Sequence, residues 1–426
     1  MKTVLLFGAG KSATVLIDYL LEESKNNKWK FIIADANKEQ ILSKTNNSTF
    51  AEAIEIDITN DEARETVIQR AHVVISMMPP ALHYLIAKDC VELRKHLLTA
   101  SYVDNKIKSL SDEIKHRKLL FLCEMGLDPG IDHMSAMKII DEIRSKGGNI
   151  TSFKSHCGGL VAPESDDNSW HYKISWNPRN VVTAGKAGAE YKINNEIKHV
   201  EYNDLFTNCN TVNIEGLGNL ACYPNRDSLS YIPIYKLRSA ETFIRTTLRY
   251  PQFCIGWEAI VKAGLANDEI IMRPENVTFK NWSETIIPFI TDENNPLLEY
   301  LGLFDDALIP ATAKTFADVL QYLLETKLVM HPHDKDMIVM LHEIIYELRG
   351  TMYDVKSSLI VKGEDSLRTA MAKTVGLPLG IAAKLILNNE LKLTGLHIPT
   401  LKEIYEPVLK ELENFGVMFN EKHLPI

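Results

Sequence analysis

At 426 residues the chain is too long for one small domain, and its 45% hydrophobic and 24% charged content is that of an ordinary globular protein. A net charge of −9 at pH 7 and a pI of about 5.9 leave no basic excess to neutralise phosphates, which excludes nucleic acid as an expected partner. No apolar run is read as reaching the roughly 18 residues of a membrane span, and the six cysteines contain no CxxC pair, which argues for free thiols in a reducing cytoplasm and against a metal site.

The chain opens on "MKTVLLFGAG". The apolar run ends in Gly-Ala-Gly after about six residues, too short for the core of a signal peptide. Thr3–Gly8 instead reads as a strand buried on both faces. It feeds "GAGKSA" (Gly8–Ala13) and then an amphipathic helix. This is G-x-G-x-x-A in its required setting of strand, turn and helix. Gly8 permits the tight turn, Gly10 lets the backbone approach a pyrophosphate, and Ala13 lets helix pack on strand. Lys11 and Ser12 lie where the helix N-terminus would hold phosphates.

Further strands are expected at Phe31–Asp35, near Ala53–Asp57, and at His72–Pro80, His96–Ser101 and Lys118–Met125, with helical stretches between most of them. Alternating β and α is the signature of a doubly wound parallel sheet of Rossmann type. Ligands of such sheets bind at the carboxyl ends of the strands. Asp57, Ser76, Met77, Met78, Ala100, Leu127 and Asp128 fall at such ends and are expected to face the nucleotide. Asp35 ends the second strand. A carboxylate there accepts hydrogen bonds from ribose hydroxyls and repels a 2′-phosphate, which favours NAD, with NADP left open by the nearby Lys38.

After Gly148 the pattern changes to a second α/β domain. Ile150–Leu160 reads as a strand ending in Gly-Gly. Asn180–Gly185, Glu190–Tyr202 and Glu241–Tyr250 look β-like, and Asp336–Val361 reads as two strands around Arg349-Gly350. Between about Pro251 and Pro332 the periodicity is helical. The expected division is a nucleotide-binding domain over 1–129, completed by 394–426, a second domain over 130–250 and 334–393, and a helical insertion over 251–333.

Six stretches in order are "TASYVD" (Thr99–Asp104), "GLDPGIDH" (Gly126–His133), "CGGLVAPESDDN" (Cys157–Asn168), "YKISW" (Tyr172–Trp176), "YPNRDS" (Tyr223–Ser228) and "TLRY" (Thr247–Tyr250). With the nucleotide fingerprint, and with "AMAKTVGLPLGIAA" (Ala370–Ala383), the chain resembles the glutamate-forming saccharopine dehydrogenase family over nearly its whole length. The resemblance implies an oxidoreductase of lysine metabolism. Saccharopine would be oxidised with a nicotinamide cofactor to glutamate and 2-aminoadipate 6-semialdehyde, or the reverse, by a cytoplasmic homodimer. Fungal members carry an Arg just after the second strand and use NADP. Asp35-Ala36-Asn37 looks like the NAD-linked animal branch.

The resemblance also implies roles. Tyr102, Asp128 and Cys157 match catalytic positions. Ser101, Tyr102, Asp128, Cys157, Gly158, Arg226, Thr247, Leu248 and Arg249 match substrate contacts. Saccharopine carries three carboxylates, for which planar guanidinium donors are suited; Arg226 and Arg249 take that part. Asp128 would hold the substrate ammonium, and Asp132 is expected to be a helix N-cap. His133 and His156 stand beside Tyr102, Asp128 and Cys157 as candidates for general acid or base. Two other readings are a dehydrogenase of a different amine, such as a carboxypolyamine, and a catalytically silent nucleotide-binding regulator.

Overall fold

A computed structural model describes residues 1–426 as two compact units: Met1–Glu142 with Leu367–Met418, and Ile143–Ser366 with Phe419–Ile426.

The first unit is built on strands β1 (Thr3–Phe7), β2 (Lys30–Asp35), β3 (Ala51–Glu55), β4 (Val73–Ser76), β5 (His96–Thr99) and β6 (Leu120–Leu122). They pair all-parallel in the order 3-2-1-4-5-6, and a short strand at Gly395–His397 adds to β6. Every residue of β1 and β4 is buried, as expected of strands covered on both faces. The connecting helices include α1 (Thr14–Asn27), α2 (Lys38–Thr45), α3 (Asp61–Gln69) and α4 (His83–Glu92); α5 (Ile131–Ser145) follows β6. The sheet is the doubly wound one that the β/α alternation predicts.

The helix Ala370–Leu387 belongs to this unit, although it was expected in the second domain. Its glycines explain why. A Cβ on Gly376 would sit 2.9 Å from the Leu16 Cβ, and one on Gly380 would sit 2.5 Å from the Tyr19 ring, so two missing side chains let it lie directly on α1. By length and composition this helix could cross a bilayer, contrary to the expectation of no such run, but 83% of it is buried inside the unit.

The second unit centres on a mixed sheet. Its strands are β7 (Asn149–Val161), β8 (Ala189–Ile193), β9 (Glu196–Val200), β10 (Asn210–Ile214), β11 (Gly218–Pro224), β12 (Arg226–Asp227), β13 (Thr242–Arg249), β14 (Asp336–Leu348) and β15 (Thr351–Lys362). The main path runs β10-β11-β13-β7-β14-β15 and ends on a strand at Asn420–Pro425. That last strand corrects the assignment of all of 394–426 to the nucleotide-binding domain, because it pairs with β15 from Tyr353 to Ser358. The helical insertion packs around Trp170, Phe253 and Trp257, with Trp257 stacked 5.1 Å from Phe253.

Two local readings are corrected. Pro178–Val182 is a helix and not a strand: Pro178 occupies its first turn, and the Asn177 side chain accepts from the Arg179 amide. Cys157 and Gly158, matched above as substrate contacts, stand within β7 and not in the tight turn through which such a contact was expected. A Cβ on Gly158 would lie 2.4 Å from the Leu248 carbonyl oxygen, so this glycine serves the close approach of β7 to β13.

Candidate active site

In the first unit the glycine loop has the form its sequence predicts. Gly8 has φ +95°, and a Cβ there would meet the Met77 carbonyl oxygen at 3.0 Å. The place of a Gly10 Cβ has nothing within 4 Å. Lys11 and Ser12 form a short turn ahead of α1, closed by Ala13 N donating to Gly10 O. Lys44 of α2 donates to Gly10 O at 2.5 Å and to Thr14 Oγ1 at 2.9 Å, and burial pushes its pKa down to about 8.

Asp35 serves the same loop. Its Oδ2 accepts from the Ala9 amide at 2.7 Å and its Oδ1 from Asn37 N at 2.9 Å. Each oxygen keeps lone-pair capacity for a ribose hydroxyl. Beside it opens a cavity of about 480 Å³, lined by Ala34, Asp35, Glu55, Asp57, Ile58 and Met78 among others. The apolar walls suit an aromatic base, and three carboxylates stand around it. Asp57 accepts from the Thr59 amide and hydroxyl at 2.9 and 2.7 Å, which holds its carboxyl below the usual range. The residues therefore fit an adenine dinucleotide.

Ser76 departs from expectation. Its hydroxyl is buried against His83 Nδ1 at 2.7 Å and does not open toward the nucleotide loop. Met77 meets Gly8, and the Ala100 Cβ stands against Gly126.

The "GLDPGID" segment folds back on itself. Gly126 N donates to Pro129 O and Ile131 N to Gly126 O, and the Asp128–Pro129 peptide is cis. Gly130 has φ +147°, and a Cβ there would lie 2.0 Å from the Gly126 carbonyl oxygen, so the fold admits no side chain. Leu127 is buried, whereas Asp128 is half-buried with Oδ1 3.5 Å from the Tyr102 hydroxyl. Asp132 is not an N-cap. It lies inside the first turn of α5, and its Oδ1 accepts from the preceding Gly130 amide at 2.6 Å. His133 is fully buried, 2.9 Å from Glu124 and 3.6 Å from Asp132. It braces the loop from behind and offers no exposed nitrogen.

In the second unit, cross-strand partners line up on one face of the sheet: Tyr223 opposite Thr247, Thr247 opposite Cys157, and Cys157 opposite Met340. Arg249, two residues beyond Thr247, shares that face. It is 5% exposed, and its guanidinium lies 5.4 Å from the Tyr172 ring and 5.2 Å from the Phe253 ring. Its hydrogen bonds go to the carbonyls of Leu248 and Gly159, and Nε has no partner. No carboxylate pairs with it. The Leu248 side chain points to the opposite face and is fully buried there, so Leu248 can offer only backbone. His156 also points to that opposite face, bonded to Thr246 at 2.7 Å and Glu343 at 3.3 Å.

Arg226 is exposed, with φ +51°, on β12, and pairs with β8. Asn225 N donates to Arg245 O, so Arg226 lies several residues down β13 from Arg249, and the fold does not cluster the two arginines. Sequence reasoning missed His83, Lys44, Tyr172 and Phe253. "YKISW" carried Tyr172 in plain view, but an aromatic in an apolar run does not announce that it will floor an arginine.

Residues 4–121 match the family described as saccharopine dehydrogenase NADP binding domain, and residues 126–417 match that described as saccharopine dehydrogenase C-terminal domain. The chain belongs to the saccharopine dehydrogenase family. The Saccharomyces cerevisiae saccharopine dehydrogenase, named as NADP(+)-using and L-glutamate-forming, is 35% identical over 99% of both chains. Its apo structure superposes with a TM-score of 0.89, at 32% identity over 100% of each chain. The alpha-aminoadipic semialdehyde synthases of Arabidopsis thaliana and Mus musculus, the latter named as mitochondrial, are 31% and 35% identical over 98% of this chain. The chain spans 44% and 47% of their lengths, about half. The Pyricularia oryzae saccharopine dehydrogenase, 29% identical over 99% of both chains, is likewise named as NADP(+)-using and L-glutamate-forming.

Proposed function

We propose that the protein oxidises saccharopine to glutamate and 2-aminoadipate 6-semialdehyde, or runs the reverse reaction. One observation carries the substrate class. Arg249 is a buried guanidinium with no protein carboxylate, and a buried charge left so is costly unless a ligand pairs with it. A carboxylate of the substrate answers it in bidentate form. A polyamine portion would call for an acid at that place.

The first unit holds the cofactor at Gly8–Ala13, with Asp35 toward the adenosine ribose. A nicotinamide bound there would supply the hydride acceptor. Asp128 holds the substrate ammonium by charge and hydrogen bond, and Tyr102 is placed to share a proton with its carboxylate. In the second unit Arg249 anchors a carboxylate, while Thr247 and Cys157 line the same face. Cys157 is a pocket-lining thiol, since imine hydrolysis needs no sulfur nucleophile. Arg226 is a second, more exposed carboxylate contact.

For the cofactor, Asp35, Glu55 and Asp57 around the cavity support NAD over NADP, because a 2′-phosphate would meet three carboxylates. The named fungal relatives use NADP, so this is a specific departure. All six cysteines are free thiols, which supports a reducing compartment, and a homodimer is the expected assembly. The test is purified protein with saccharopine and each cofactor in turn, followed at the absorbance of the reduced nicotinamide. Reduction of neither would overturn the reading.

A further inference from the structure

A buried chain of three side chains runs under the carboxyl ends of β4 and β5. Ser76 Oγ, at the end of β4, lies 2.7 Å from His83 Nδ1, and His83 Nε2 lies 2.7 Å from Ser101 Oγ, in the loop after β5. Ser76 is 1% and His83 2% exposed, whereas Ser101 is only half-buried. The chain has one open end. It leads nowhere past Ser76, so it cannot carry protons to solvent.

Which nitrogen carries the proton follows from satisfaction of the buried end. The Ser76 hydroxyl makes one hydrogen bond, to Nδ1. If Nδ1 bore the proton, the Ser76 O–H would be left buried with no acceptor. An unmet buried donor is the costlier fault, since an oxygen that already donates tolerates an empty lone pair. Ser76 therefore donates to Nδ1, and Nε2–H donates to Ser101. One lone pair of the Ser101 oxygen is then taken by the histidine, and the Ser101 proton is turned away from it, free to be donated. Burial also pushes the His83 pKa down to about 4, against the pull of Asp104, so the ring stays neutral at physiological pH.

We propose that His83 is a positioning residue for the substrate: fixed by Ser76 as the Nε2–H tautomer, it makes Ser101 a hydrogen-bond donor aimed at a carboxylate oxygen of the amino-acid substrate. This rests on the reading given under Proposed function and divides labour within it. Asp128 offers negative charge to the ammonium, and Ser101 offers a proton to a carboxylate, so the pair reads the two charged groups of an amino-acid end with opposite polarity.

The ring proton can be read directly by long-range 1H–15N correlation on protein labelled at histidine ring nitrogens, with His83→Phe as the assignment control. The expected result is a protonated Nε2 and a bare Nδ1, unchanged from pH 5 to 8. An Nδ1–H tautomer or an imidazolium in that range overturns the proposal. In kinetics, His83→Phe and Ser101→Ala should each raise KM for saccharopine roughly tenfold with cofactor affinity unchanged, and the double variant should be no worse than either single. Multiplicative effects, or a change in cofactor Kd in place of KM, overturn it. If the protein fails to turn over saccharopine, the substrate reading fails, while the tautomer, measured without substrate on wild-type protein, still decides the role of Ser76 and His83.

Discussion

The Tyr102 hydroxyl stands 3.5 Å from Oδ1 of Asp128, at the outer limit of a hydrogen bond. The two come from different strand ends, β5 and β6, and meet because the Gly126–Gly130 fold turns Asp128 back toward the sheet. A contact this long is one that a substrate ammonium can tighten or replace. Asp128→Asn keeps the shape and loses the charge. It should lower kcat/KM for saccharopine roughly 10- to 1000-fold, or about 1.4–4 kcal/mol, with cofactor binding by titration nearly unchanged. Wild-type kinetics in this variant would reduce the loop to a turn.

Asp132→Asn makes the contrast. Asp132 is buried and tied to the Gly130 amide, so its replacement should act on stability of the first unit more than on chemistry. A Tm lowered by a few degrees with kcat/KM within a few-fold of wild type is expected. The reverse pattern would exchange the roles of the two aspartates.

Cofactor choice is tested at Asp35. The wild type should show higher kcat/KM with NAD. Asp35→Ala combined with Ala36→Arg removes repulsion and adds a phosphate partner, each on the order of 1–3 kcal/mol, and should narrow or reverse the preference. Since Asp35 also holds the Ala9 amide, some loss with both cofactors accompanies the switch. A wild type that prefers NADP would refute the reading of the acidic cavity.

Arg249→Lys keeps the charge but loses the planar fork and its seat against Tyr172 and Phe253. KM for saccharopine should rise by the equivalent of about 1–3 kcal/mol. Arg226→Lys should raise it less, because Arg226 is exposed. Equal kinetics for Arg249→Lys and wild type would place the guanidinium outside the substrate site.

Glu343 gives a pH-dependent stability. The hydrogen bond from His156, with Lys356 3.1 Å away, holds its pKa at about 2, below the unfolded carboxyl value. Its stabilisation is therefore present above about pH 4.5 and lost as pH falls toward 2. Discounted for partial exposure, it is about 1–2 kcal/mol. Glu343→Gln should unfold in less urea than wild type at pH 6, and the gap should narrow below pH 4.5 and close only as pH approaches 2. A gap that stays constant with pH would assign the effect to packing.

The parallel sheet was legible because its central strands are apolar runs and the glycine turn has a fixed chemistry. Gly8, Gly10 and Asp35 could be placed by spacing alone. The second unit was harder. Its strands pair across long separations, so although alternation along β13 puts Thr247 and Arg249 opposite Leu248, nothing local tells that Cys157 joins their face and His156 the other; that follows from register. Pro178–Val182 was misread because "NVV" carries strand propensity, and the capping Asn177 outweighed it. The tie of Ser76 to His83 was invisible for a different reason: a serine at a strand end looks the same whether it meets a ligand or a histidine seven residues on.

The seating of Gly376 and Gly380 on α1 has a consequence for synthesis. The helix that begins at the glycine loop acquires its packing partner only when residues more than 350 positions downstream have been made. During vectorial translation the dinucleotide fingerprint leaves the ribosome before that helix, and it stays uncovered on that flank until some 350 further residues have followed. A fragment ending near residue 142 would therefore present an apolar flank to chaperones instead of a finished binding module.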